Sequence, residues 1–280
     1  MQYGGGEGAG QAGRLAGQRA AGAAGRPHPA PHRVLLGLSG LLLLLLLWWF
    51  GTSTLVAGHG FARRFAPEAT LPVLAHLVVT PELWLHVGVS LKRVLVGLAL
   101  SLAVGIPVGL LVGASPRTEA ATSPAFQFLR MTSPLSWMPI AIMLFGVGDV
   151  PIYFLLAFAA VWPILLNTAA GVRQLNPEWL LLGRSLAATR AELLLHIILP
   201  GILGHVLTGV RLAIGISWIV LVPCEMLGVQ AGLGYFILDT RDRLAYPELM
   251  ATILVVGMTG YALDSLARSL ARRFGSAGVV

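Results

Sequence analysis

Glu178–Pro200 reads EWLLLGRSLAATRAELLLHIILP, and it joins two apolar runs, about Ile152–Val172 and Gly201–Leu227, each long enough to cross a bilayer. Two arginines and two glutamates fall within it, in a chain that is otherwise poor in charge. Asn176 suits an N-cap and Pro177 the first helical position, where no backbone donor is needed. Glu178 then lies in the first turn, where an acid suits the positive end of the helix dipole. Leu180, Leu181, Leu182 and Leu186 supply an apolar face. Ala187-Ala188-Thr189 reads as a small-residue bend. Arg190 to Ile198 reads as a second short helix that stops at Leu199-Pro200, with Pro200 in the first turn of the next span. Such a stretch is either an amphipathic connector or a surface on which another protein docks.

Outward from this loop the chain is membrane-like. Of its 280 residues, 56% are hydrophobic and 11% charged, with mean hydropathy +0.80. Soluble domains carry roughly 25% charged residues. Apolar runs of spanning length occur at about Val34–Ala57, Val94–Gly113, Arg130–Val147, Ile152–Val172, Gly201–Leu227 and Leu249–Ala267. Backbone polar groups in lipid must be satisfied within the segment, so the expectation is an all-α membrane protein with six transmembrane helices. Residues 1–33, rich in Gly, Ala and Arg, cannot bury a core and read as a disordered tail. Residues 34–274 form the membrane domain and 275–280 a second tail. The first apolar run ends in Trp48, Trp49 and Phe50 rather than at a small-residue cleavage site, which favours an uncleaved span over a signal peptide.

The net charge is +7, and of 19 basic residues only Lys92 is lysine. With a cytoplasmic N-terminus, thirteen of these fall inside and six outside, Lys92 and Arg93 among them at an outer helix start. That bias supports both termini inside, and the charge speaks for membrane topology rather than nucleic-acid binding. Phosphate-loop, H-E-x-x-H, zinc-spacing and G-x-S-x-G patterns do not occur. No catalytic or metal residue is expected, and the seven histidines form no ligand set. Uphill movement would therefore draw on an ion gradient or another chain. Cys224 reads as a small packing residue.

Gly97, Ser101, Gly105, Gly109 and Gly113 recur every four positions, and Gly209, Ala213 and Ser217 repeat the device. These stripes admit close approach of a helix, either within one subunit or from a second copy. Charges inside spans are costly and suggest function. Glu225 either faces the outer gate or is an interfacial carboxylate paired with Arg241 or Arg243. Arg211 either attracts an oxyanion through its fork of donors or snorkels to the interface. Arg130 reads as a snorkelling residue, and Asp264 as a structural partner of Arg268, four residues on. Pro134 and Pro139 bracket Trp137, so Ser133, Ser136, Trp137 and Met138 line a pathway or pack a kink. The pathway set is then Ser133, Ser136, Trp137, Met138, Arg211, Ser217 and Glu225.

The central stretch resembles the cytoplasmic signature loop of binding-protein-dependent ABC importer permeases. The family pattern is Glu-Ala-Ala, three residues, Gly, nine residues, Ile-x-Leu-Pro. Here Ile197-Ile198-Leu199-Pro200 matches, while Ala187 stands at the Gly and Leu181, Leu182 and Gly183 at Glu-Ala-Ala. The loop keeps its length and its Pro end but lacks the first acidic and small residues. The resemblance runs over about residues 80–274 and is nearest to the nitrate, sulfonate, taurine and bicarbonate branch. It rests on SLKRVLVGLALSLAVGIPVGLLVGASP (Ser90–Pro116), SPLSWMPIAIMLFGVGD (Ser133–Asp149), LTGVRLAIGISWIVLVPCEMLG (Leu207–Gly228) and GLGYFILDTRDRLAYPELMATILVVGMTGYALD (Gly232–Asp264).

The resemblance implies a type I importer permease fold in the bacterial inner membrane. It implies a second copy of the chain, two ATP-binding cassette subunits and an external substrate-binding protein. ATP and Mg would sit on the cassette subunits, with no cofactor on this chain. The docking positions it implies are Glu178, Leu181, Leu182, Gly183, Leu186, Ala187, Ala188, Thr189, Arg190, Leu199 and Pro200. The cargo it implies is a small oxyanion, nitrate or an organosulfonate such as taurine, imported by alternating access. A stand-alone secondary transporter or channel is the alternative, and it would need intramembrane acids to relay protons or bind sodium. A membrane enzyme would need a nucleophile–base constellation that the sequence lacks.

Overall fold

The computed structural model describes residues 31–55 and 62–275. The tail readings for 1–30 and 276–280, and the Ala57 end of the first apolar run, lie outside the described residues. The chain divides into two compact units, residues 1–59 and 60–280.

In the first unit, α1 (Pro31–Phe50) runs into a π-helical turn, Gly51–Leu55. The helix starts ahead of the expected Val34, on a proline suited to a first turn. Its apolar part, Ser39–Ser53, is shorter than the long helices of the second unit. Thr52 Oγ1 donates to the Trp48 carbonyl at 2.9 Å, and Ser53 Oγ to that of Trp49. These bonds satisfy the hydroxyls within the helix.

The second unit opens with α2 (Pro67–Leu77) and α3 (Pro81–Ala114). It continues with α4 (Pro116–Met131), α5 (Met138–Phe145), α6 (Asp149–Arg173), α7 (Pro177–Ser185) and α8 (Leu199–Glu225). It closes with α9 (Leu233–Asp242) and α10 (Tyr246–Gly275). Among the described residues every regular element is helical. Four helices are long and apolar enough to cross a membrane: Pro81–Ala114, Asp149–Arg173, Arg190–Glu225 and Tyr246–Arg273.

Two expected boundaries are corrected. The second span does not begin near Val94, because Thr80-Pro81 starts α3 more than three turns earlier. Lys92 and Arg93 therefore lie within the helix and not at its start. The third span is not one kinked helix over Arg130–Val147. α4 stops at Met131, a 3₁₀ turn covers Pro134–Trp137, and α5 leaves at 85° to α4. Thr132 and Ser133 are both extended, at ψ 124° and 128°, and Pro134 disfavours a helical Ser133. Counting that bent pair as one crossing brings the second unit to five.

α6 is the central helix, with α3 packed on one side and α8 on the other, and α10 packs outside α8. Ile152, Leu155, Leu156 and Ala159 of α6 bury against Val94 of α3 and Leu221 and Cys224 of α8. The small-residue stripe of α3 faces α6 within the same subunit. A Cβ on Gly97 would lie 2.6 Å from Leu156 Cβ, and one on Gly109 2.7 Å from the Leu165 carbonyl oxygen. Gly209 of α8 meets α6 likewise, 2.9 Å from the Pro163 carbonyl. Bare backbone is what lets these three helices touch.

Candidate functional site

Three places carry chemistry or contact surface: the Glu178–Pro200 loop, the bend between α4 and α5, and a buried charge cluster at the end of the bundle away from that loop.

The loop is built as a pair of capped turns. Asn176 Oδ1 accepts from the Glu178 N–H at 2.9 Å and opens α7. At the other end Ala188 N–H donates to the Gly183 carbonyl and Ala187 N–H to that of Arg184, both at 3.0 Å. This is a Schellman closure, and its left-handed residue is Ala187, φ +55°. The family pattern has glycine at this position, which is where a residue without Cβ is least strained. Thr189 and Glu192 then form a reciprocal capping box.

The expected second helix does not end at Leu199-Pro200. It passes through a π-helical turn, Leu193–Ile198, straight into α8, so one helix runs from Arg190 to Glu225. Pro200 has no N–H and its ring would strike the carbonyl four residues back, and the wider turn absorbs both effects. Leu181, Leu182 and Leu186 stand 59%, 61% and 75% exposed. Glu178, Ala187, Thr189, Arg190 and Pro200 are also exposed, while Ala188 and Leu199 are half-buried. Gly183 is buried in the notch where Leu193 and Ile197 pack on α7, and a Cβ there would lie 2.5 Å from Leu193 Cδ2.

At the bend, Ser133 and Ser136 are exposed, Trp137 is half-buried and Met138 joins the core. Trp137 stacks obliquely on Phe158, and Phe158 meets Trp162 edge-on. A cavity of about 320 Å³ opens between α4, α6 and α8, with Arg130, Thr132, Pro134, Trp162 and Asn167 in its wall. The other pathway candidates are spread along α8 and form no single cluster. Arg211 is exposed and its Nε donates to Asp264 at 3.2 Å, and Asp264 also pairs with Arg268. Ser217 is fully buried and its hydroxyl has no partner.

Glu225 does not pair with Arg241 or Arg243. Those arginines bind Asp242 at 2.8 Å and Asp239 at 2.9 Å respectively. The partner of Glu225 is Arg93, whose Nη1 lies 2.7 Å from Oε1, with the arginine side chain 3% and the glutamate 0% exposed. Ser90 Oγ and the Gly234 N–H also donate to the carboxylate, at 2.8 and 2.9 Å. Arg93 further donates to Asp149, from Nη2 at 2.6 Å, and to the Ala231 carbonyl. Gly232 N–H donates to His86 Nδ1 at 3.1 Å and Leu233 N–H to Ser90 Oγ at 2.9 Å. α3, α6, α8 and the α8–α9 connector are thus tied at one point. Gly232, φ +120°, has no room for a Cβ, which would lie 2.6 Å from Arg93 Nη1. Sequence reasoning missed Arg93, Asp149, Ser90 and His86. The available signal was charge balance: a buried acid in one span calls for a base in another.

Residues 105–276 match the family described as binding-protein-dependent transport system inner membrane component. This chain belongs to that family. The resemblance expected from the loop and the sequence blocks is borne out, and the permease has relatives along most of its length. It is 34% identical over 247 residues to the bicarbonate transport system permease protein CmpB of Synechococcus elongatus, covering 85% of this chain and 88% of that protein. It is 30% identical over 250 residues to the taurine transport system permease protein TauC of Escherichia coli, covering 88% and 90%. It is 35% identical over 191 residues to the nitrate import permease protein NrtB of Leptolyngbya laminosa, covering 68% of each. A chain of the inward-facing MetNI methionine ABC transporter superposes with TM-score 0.58 at 14% identity, covering 69% of this chain and 98% of that one. The likeness shows a shared fold, that of the type I importer permeases. The permease is a transport subunit and not an enzyme, as its relatives are.

Proposed function

We propose that this permease imports a small oxyanion, nitrate or an organosulfonate such as taurine, by alternating access. In this reading two copies sit in the bacterial inner membrane with both termini in the cytoplasm, residues 34–274 forming the membrane domain. Two cassette subunits carrying ATP and Mg press on the Glu178–Pro200 loops, and an external binding protein delivers the anion at the Glu225 end. The observation that carries this reading is the loop itself. Its backbone is capped throughout, yet it holds Leu181, Leu182 and Leu186 out into solvent. Rigid, exposed apolar side chains beside Glu178 and Arg190 suit a protein partner. The continuous helix from Arg190 to Glu225 joins that surface to the far end of the bundle. The pathway residues of this reading are Ser133, Ser136, Trp137 and Met138 at the bend, and Arg211, Ser217 and Glu225 along α8.

The anion class is supported by relatives named for bicarbonate, nitrate and taurine. Bicarbonate is a second reading, favoured by the CmpB match over 85% of this chain. The test co-expresses the permease with a cognate ATPase and binding protein. ATP-dependent uptake of labelled nitrate, taurine and bicarbonate into proteoliposomes then names the cargo. Leu186→Glu should abolish co-purification of the ATPase while leaving the permease folded in detergent. Unchanged assembly of that variant would remove the docking role.

A further inference from the structure

Arg130 read from sequence as a snorkelling residue, and the structure shows an exposed side chain that also borders two cavities. It lies one residue before the end of α4, at the 85° bend, in the wall of the 320 Å³ cavity. It also lines a second, smaller cavity of about 90 Å³, which shares Trp162 and Leu166 with the first. Its one hydrogen bond runs from Nη2 to Gln127 Oε1 at 2.9 Å. A guanidinium has five N–H donors, so most of the fork is unused. The acids within reach of these helices are already taken: Glu119 by Arg173 at 2.6 Å, and Asp264 by Arg211 and Arg268. In the wall of the larger cavity Arg130 is the sole charged side chain.

The rest of that wall adds donors. Asn167 spends one amide N–H on the Pro163 carbonyl at 2.8 Å and keeps the other. Thr132 Oγ1 donates to the Phe128 carbonyl at 3.2 Å and keeps lone pairs of its own. Trp162, 8% exposed, adds its ring to the wall, while its indole nitrogen is buried. Leu166, Leu212, Ile216 and Val220 complete an apolar lining. An uncompensated positive charge, several donors and apolar walls form a site for a small anion. Arg211, the arginine that sequence offered for this task, shares Asp264 with Arg268 and does not line the cavity.

We propose that Arg130, with Thr132 and Asn167, is a binding station for a small oxyanion in the cavity at the α4–α5 bend. It deepens the proposed function and rests on it. The recognised chemistry is a singly charged group with two or three oxygens, supplied either by a soluble anion or by a lipid headgroup. The purified permease in phospholipid-free detergent is titrated with potassium nitrate and sodium methanesulfonate, chloride keeping the ionic strength constant. Thermal stability is the readout, and a parallel series uses nanodiscs of phosphatidylglycerol or phosphatidylcholine.

A saturable rise in Tm with nitrate or methanesulfonate is expected. Arg130→Met should weaken the apparent Kd on the order of 10- to 100-fold, as for the loss of one or two charge-assisted hydrogen bonds. Arg130→Lys should recover part of it. Equal titrations for wild type and Arg130→Met, or no titration at all, overturn the station. An Arg130-dependent rise confined to phosphatidylglycerol overturns it in favour of a lipid headgroup. In proteoliposomes holding the whole transporter, Arg130→Met should raise KM for uptake, and an unchanged KM removes the station while leaving the import reading intact. Absence of any oxyanion uptake by the wild-type transporter would remove the import reading instead.

Discussion

Replacing Glu225 by Gln keeps the shape of the side chain and removes its charge. In the native cluster the carboxylate accepts from Arg93 Nη1, Ser90 Oγ and the Gly234 N–H. An amide offers one acceptor oxygen to these donors and turns an NH₂ towards the others, so at least one donor is orphaned. Removing one partner of a buried ion pair costs about 3–5 kcal/mol. Arg93 keeps Asp149 and the Ala231 carbonyl, which places this variant at about 3 kcal/mol. For a chain of this size that corresponds to a fall in Tm of roughly 6–12 °C. The assay is thermal unfolding of the purified permease in detergent, followed by aggregation-sensitive chromatography. The companion pair is Arg93→Met and Glu225→Leu, alone and together. The double variant should be less damaged than the sum of the singles, with a coupling of about 1–3 kcal/mol, because it leaves no orphaned charge between the two positions. A Glu225→Gln protein melting within 2 °C of wild type, or strictly additive singles, would refute the view that this pair holds four elements together.

Ala187→Gly removes a Cβ from a left-handed residue and should stabilise the loop by about 0.5–1 kcal/mol. Hydrogen exchange of the Ala187 and Ala188 amides should slow, and faster exchange would count against the strain. Gly109→Ala places a Cβ 2.7 Å from the Leu165 carbonyl and should cost about 1–3 kcal/mol, read as a lower Tm. The same change at Gly204, where a Cβ meets nothing within 4 Å, should leave Tm within about 2 °C of wild type. Asp264→Asn removes an acid that is more than a third exposed and paired with Arg211 and Arg268, so its effect on Tm should be small, under about 1 kcal/mol, and it should shrink further in high salt.

The local grammar of this chain was legible before any coordinates. Asn176 and Pro177 signal the start of α7, and the four-residue glycine period signals the face of α3 that meets α6, because both depend on near neighbours in sequence. The Asp264–Arg268 pair is of the same kind. What stayed hidden depends on distant neighbours. Arg93 and Glu225 are 132 residues apart, and no local spacing selects that pair over Arg241 or Arg243. The break at Ser133 is implicit in the residue order Ser-Pro, but a single proline-bearing run reads equally as a kinked span. At the candidate site, Arg211 and Arg130 differ in sequence only by their flanks. The carboxylate of Asp264, supplied by α10, is what gives Arg211 an acidic partner.

The unbroken helix from Arg190 to Glu225 has a mechanical consequence. At a rise of about 1.5 Å per residue its 36 residues span roughly 54 Å, about 10 Å more than a bilayer with its headgroups. A tilt of about 5° around its middle would carry each end by roughly 2 Å, in opposite directions, taking that length as a rigid rod. Its Arg190 end adjoins the turn that follows the exposed leucines of α7, and its other end is pinned through Glu225 to α3 and α6. Any such tilt must therefore either drag those two helices along or tear Glu225 from Arg93. In the alternating-access reading proposed above, the two orientations would then be separated by a discrete, costly rupture rather than a smooth slide.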